Sequence, residues 1–187
     1  LRLPEAVLLR DTLARTIKMT INKLDNYEIT SSLTELNLST NLLDEGAMDV
    51  LASLVEAHSS LTTLDVSQNE AGPHGLAHLA KMLSRNTWLT SLKIAENDVT
   101  REGRNPDGVS SLSDALKVNR TLTYLDISEN FIEEAKEREI QEKVSVNRAV
   151  NHTQESFVEF LDSKYLPDDY DTNETGGYII NLELSRE

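Results

Sequence analysis

The side chains whose types could do chemistry are few and poorly placed for it. His74 and His78 stand four residues apart, so on a helix they would share one face, as zinc ligands do. No third ligand accompanies them at a useful spacing, and Pro73 puts them in a first helical turn, where solvent-exposed histidines are the simpler reading. Asp168, Asp169 and Asp171 crowd together without the distal Glu of a calcium loop. The chain has no cysteine, which removes disulfides, thiolate nucleophiles and Cys-ligated zinc together. Neither a phosphate-cradling glycine loop nor a nucleophile elbow occurs. The expectation is a non-enzyme with no catalytic residue, metal or cofactor.

What recurs is a scaffold pattern. Leu33-Thr-Glu-Leu36-Asn-Leu38-Ser-Thr-Asn41, Leu61-Thr-Thr-Leu64-Asp-Val66-Ser-Gln-Asn69, Leu89-Thr-Ser-Leu92-Lys-Ile94-Ala-Glu-Asn97 and Leu122-Thr-Tyr-Leu125-Asp-Ile127-Ser-Glu-Asn130 align at offsets of 28, 28 and 33 residues. Behind each segment the apolar spacing turns helical: Ala47, Leu51, Leu54 and Val55; Leu76, Leu79, Met82 and Leu83; Val109, Leu112, Ala115 and Leu116; Ala135, Ile140 and Val144. Asn86, Asn119 and Asn147 then fall at one offset, with His58 in the first unit, and predict helix ends because Asn tolerates the left-handed conformation. A strand followed by a helix cannot bury its apolar face alone, but stacked copies can. The fold class predicted is therefore an α/β solenoid, a horseshoe arc with a parallel sheet inside and helices outside. The asparagine closing each motif is expected to satisfy backbone groups where the chain leaves the strand.

The period, the helical second half and segments such as Asn41-Leu-Leu-Asp-Glu-Gly-Ala47 resemble the ribonuclease-inhibitor type of leucine-rich repeat over about residues 31–147. That resemblance implies protein binding without choosing the partner. Its members include actin regulators such as tropomodulin, the Ran GTPase-activating protein and ciliary scaffold subunits.

The ends read differently. Residues 1–30 hold a helical stripe of Leu9, Leu13, Ile17, Ile21 and Leu24, either an N-terminal cap or the helix of an earlier repeat. Residues 148–187 carry no repeat: Ser156–Leu161 reads as a short helix, an acidic turn-rich stretch follows, and Tyr178, Ile180, Leu182 and Leu184 alternate as a strand. That strand either folds back onto the solenoid or adds to a partner's sheet. The chain is 39% hydrophobic and 27% charged, as a folded protein is, and its net charge of −14 divides into −8 over 1–147 and −6 over 148–187. Such a field disfavours nucleic acid and anionic membrane, and favours a protein partner with a basic surface. No run is long and apolar enough to cross a bilayer. Absent cysteines favour a cytoplasmic setting over the chance glycosylation patterns at Asn119, Asn151 and Asn173.

Alternation along each strand selects the candidate binding panel. With Leu36 and Leu38 turned to the core, Glu35, Asn37 and Ser39 face the concave side, followed by Thr63, Asp65 and Ser67; Ser91, Lys93 and Ala95; and Tyr124, Asp126 and Ser128. Tyr124 is the panel's only aromatic side chain and its expected hot spot. The five extra residues of the third unit enlarge the loop 100–108, where Arg101 and Arg104 could reach a partner's carboxylate or phosphate. The functional expectation is a non-catalytic scaffold or adaptor of an intracellular assembly, cytoskeletal or ciliary. The alternatives are a small-GTPase regulator, for which no functional residue maps onto this chain, and an actin-filament regulator, although the basic C-terminal segment typical of tropomodulin is absent.

Overall fold

The computed structural model describes residues 33–57 and 60–165, with side chains for 33–56 and 60–153. The chain divides into two compact units, Leu1–Asn151 and His152–Glu187. The expected N-terminal helical stripe and the strand Tyr178–Leu184 lie outside the described residues. Within the first unit four strands, β1 (Glu35–Asn37), β2 (Thr63–Asp65), β3 (Ser91–Lys93) and β4 (Tyr124–Asp126), alternate with the helices α1 (Glu45–Ala57), α2 (Gly72–Leu83), α3 (Asp107–Ala115) and α4 (Glu134–Tyr165). The strands pair in parallel in the order β1-β2-β3-β4, with Leu36, Leu64, Leu92 and Leu125 opposite one another. This is the predicted leucine-rich-repeat solenoid.

The repeat's leucines explain the stacking. Leu64, Val66, Leu92 and Ile94 are fully buried, as are Leu76, Leu79 and Leu112 on the helices facing them. Truncating any one to Ala should cost about 2–5 kcal/mol. At the array's first strand the packing is looser, and Leu36 and Leu38 are only half-buried. Ala135 corrects the predicted stripe of the last helix: it is exposed, and Ile140 and Val144 carry the burial. α1 begins where Asp44 Oδ1 accepts the amide of Ala47, an N-cap that satisfies one of the helix's orphan donors.

Two ladders of asparagine hold the backbone where the chain turns. Asn69 Nδ2 donates to the carbonyls of Leu38, Val66 and Ser67, while its Oδ1 accepts the amides of Asn41 and Leu43. Asn97 and Asn130 repeat the arrangement one and two units on. All three are buried, and together they keep the main-chain groups of the turns paired. The second ladder corrects the reason given for Asn86, Asn119 and Asn147. None has a positive φ. Asn86 instead donates to Val55 O and accepts the amides of Trp88 and Leu89, and Asn119 does the same for its own repeat. Burial of Asn119 also removes it as a glycosylation acceptor in the folded protein.

Asn147 makes the matching bonds to the carbonyls of Asn119 and Leu122 from within a helix that does not stop. α4 runs on to Tyr165, so the expected short helix 156–161 is its continuation. This helix also closes the sheet's edge. On β4, Arg148 donates two bonds to Thr123 O and Gln141 Nε2 donates to Leu125 O, occupying carbonyls that a fifth strand would use. A polar staple joins it to α3. Ser113 Oγ, itself buried, donates to Glu139 Oε1 at 2.8 Å, and Lys143 Nζ reaches the same hydroxyl at 2.6 Å. Hydrogen bonds from Lys136, Lys143 and Ser113 pull the Glu139 carboxyl down to about 2.

Candidate protein-binding surface

On the sheet face opposite the helices, the panel residues line up by register. Glu35, Thr63, Ser91 and Tyr124 form one row, and Asn37, Asp65, Lys93 and Asp126 the next. The rows differ in how free they are. Asn37 Oδ1 accepts both the amide and the hydroxyl of Ser39; Asp126 does the same for Ser128, and Asp65 Oδ1 accepts the Ser67 amide. These side chains therefore shape the turn leaving the strand as well as facing outward. The third repeat breaks the pattern with Lys93 and a buried Ala95, and Lys93 Nζ lies 3.5 Å from Asp65 Oδ2. Glu35 and Tyr124 stand exposed at the two ends of the first row, with Tyr124 45% accessible. What the panel offers is short polar groups, alternating charge and one aromatic ring. None of these panel groups sets a base beside a nucleophile.

The enlarged loop is ordered by its own bonds. Thr100 Oγ1 donates to Asn130 O at 2.8 Å and accepts the Gly103 amide, while Asn105 N donates to Thr100 O. Both arginines meet carboxylates of the chain itself. Arg104 pairs with Glu102, and Arg101 Nη2 lies 4.0 Å from Glu45 Oε2, beside a cavity of about 370 Å³ that Asp44, Glu70 and Asp98 also line. Such exposed pairs are worth under about 1 kcal/mol, so a partner's carboxylate can compete for either guanidinium.

Other exposed groups escaped the alternation rule. Thr40, Gln68, Glu96 and Glu129 precede the motif asparagines, all with positive φ, and the first three are linked, Thr40 Oγ1 donating to Gln68 Oε1 and Gln68 Nε2 to Glu96 Oε1. Phe131, one residue after the last motif asparagine, is 67% exposed. The only signal for this row was its fixed place in the repeat. Among the possible metal ligands, His74 is exposed, and His78 is half-exposed with Nδ1 2.9 Å from Asp49 Oδ1 on α1. Among the described residues no group of three or more His, Cys, Asp or Glu could hold a metal ion, and no helix is long and apolar enough to cross a membrane.

Known proteins bear on the same geometry. The sequence model for the Leucine Rich repeat matches residues 85–104 and 118–133, the strand regions of the third and fourth units. No curated protein matches the sequence. Among solved structures, one titled Leiomodin-1 Actin-Binding Site 2 aligns with a TM-score of 0.64 at 18% identity, over 79% of this chain and 82% of that one. The tropomodulin C-terminal domain of Caenorhabditis elegans aligns with a TM-score of 0.61 at 16% identity, over 75% of this chain and 98% of that one. The chain is thus a leucine-rich-repeat protein, similar in fold to those two domains.

Proposed function

We propose that this chain is a non-catalytic protein-interaction module of the actin cytoskeleton, engaging its partner through the sheet face opposite the helices. The observation that carries the reading is the extent of the likeness: 98% of a tropomodulin C-terminal domain and 82% of a domain named for actin binding are matched by 75% and 79% of this chain. Recognition then rests on the row Glu35, Thr63, Ser91 and Tyr124, the charged row Asp65, Lys93 and Asp126, the turn residues Asn37, Ser39, Ser67 and Ser128, and the guanidinium groups of Arg101 and Arg104. A basic patch on the partner suits the net charge of −14. Strand addition through Tyr178, Ile180, Leu182 and Leu184 would be a second contact of the same complex. The likeness to actin-binding domains favours this reading over a ciliary scaffold or a GTPase regulator.

Pyrene-actin kinetics test it. The purified chain should change the rate of nucleation, elongation or depolymerisation in a dose-dependent way, and Tyr124→Ala should weaken the effect by about tenfold, as loss of an aromatic hot-spot contact does. Kinetics unchanged at saturating chain would refute the actin assignment. Tail removal after residue 165 separates the second contact: affinity should fall while the melting temperature of the repeats holds.

A further inference from the structure

A second surface lies at the edge of the repeats, away from the strand face. A groove of about 660 Å³ runs between the enlarged loop and the turn that follows β4, walled by Thr100, Gly103, Pro106, Val109, Phe131 and Ile132. Its volume is that of a pocket taking one or two side chains. Phe131 on its rim is 67% exposed and has a φ of 54°, a left-handed conformation that bulky residues rarely adopt. Folding therefore gains little from this ring, neither in burial nor in backbone comfort. Leu42 and Asp98 at the equivalent repeat position share the conformation, with φ of 54° and 48°, so it belongs to the turn, and what marks Phe131 is a large exposed ring on the rim of a groove. Nor are the walls free to collapse. Thr100 Oγ1 bonds Asn130 O on the Phe131 side and receives the Gly103 amide on the other, so the groove is held open before anything binds.

Charge selects the occupant. Glu102 is matched by Arg104 and Lys136 by Glu139, but Glu129 and Glu133, on either side of Phe131, make no ion pair among the described residues. We propose that this groove binds a peptide segment of a partner protein in which an aromatic or aliphatic side chain is flanked by lysine or arginine. The ring of Phe131 and the side chain of Ile132 take the apolar group above the buried Val109, Glu133 on the groove wall takes one flanking cation, and Glu129, exposed two residues before Phe131, takes the other. This contact uses neither the panel rows nor the guanidinium groups of Arg101 and Arg104 on which the actin reading rests, so either can fail without the other.

A random displayed peptide library selected against the full chain tests the idea, with Phe131→Asn as the counter-target. Asn accepts the left-handed conformation, so this variant should melt at the same temperature or higher while losing the site. Enriched peptides should carry one apolar residue between basic ones, and synthetic copies should bind the parent about tenfold tighter than F131N. The double change E129Q/E133Q, at exposed positions, should weaken binding about threefold and flatten its salt dependence, and it decides the matter if F131N fails to fold. Trp88→Ala, at an exposed ring elsewhere, should leave binding unchanged. No enrichment, enrichment of neutral or acidic sequences, or equal binding by F131N would overturn the proposal.

Discussion

Asn97 joins three carbonyls and an amide from two neighbouring repeats through one buried carboxamide. Asn97→Ala would leave the buried Ala71 amide without its partner, while Val66 O, Ile94 O and Ala95 O keep Asn69 Nδ2, Asn130 Nδ2 and the Gln68 amide, and should cost about 1–3 kcal/mol in a urea melt. Asn41, exposed and bonded only to Ser39 O among the described contacts of its side chain, should lose under about 1 kcal/mol on the same change. Gly108 is held by a different constraint, since a Cβ there would sit 2.3 Å from Pro73 O, against backbone that cannot swing aside. Gly108→Ala should therefore destabilise by about 1–3 kcal/mol in the same melt. The ladder was legible in sequence because a polar residue fixed at the end of every strand motif has a backbone task. Phe131 was not, because its position holds Leu42, Glu70 and Asp98 in the other repeats and shows no consistent type.

At the scale of elements, α4 is where the array changes character. Its staple to α3 depends on an ionised Glu139, whose carboxyl is held at about 2 by Lys136, Lys143 and Ser113. A depressed carboxyl stabilises the folded state above its ordinary value near 4.5, and that contribution disappears as pH falls from there through about 2. Melting temperature against pH should accordingly fall more steeply over this window for the parent than for Glu139→Gln. The edge of β4 gives a second measurement. Arg148→Ala with Gln141→Ala uncovers Thr123 O and Leu125 O, and sedimentation velocity should then show concentration-dependent self-association that the parent lacks. The charged, thin-striped character of α4 could be read from its glutamates and lysines. Its length could not: Asn147 bonds the preceding repeat equally well from a turn or from the middle of a helix, so its presence does not stop the chain.

For the molecule as a whole, the repeat period and buried leucines sufficed to predict the solenoid, since the alternation of strands and the spacing of helices leave one way to bury both faces. The same alternation predicted the panel rows, which the register lines up across the four strands. It did not reveal that Asn37, Asp65 and Asp126 also brace their turns, a role set by side-chain geometry two residues along. Under the proposed function, recognition then concentrates on Glu35, Thr63, Ser91 and Tyr124, with Lys93 already shared with Asp65. The most direct measurement of the central claim is co-sedimentation of the purified chain with actin filaments, set beside Tyr124→Ala of unchanged circular dichroism. The account predicts saturable pelleting of the parent, weakened about tenfold in the variant. Pelleting that is absent, or that Tyr124→Ala leaves intact, would contradict it.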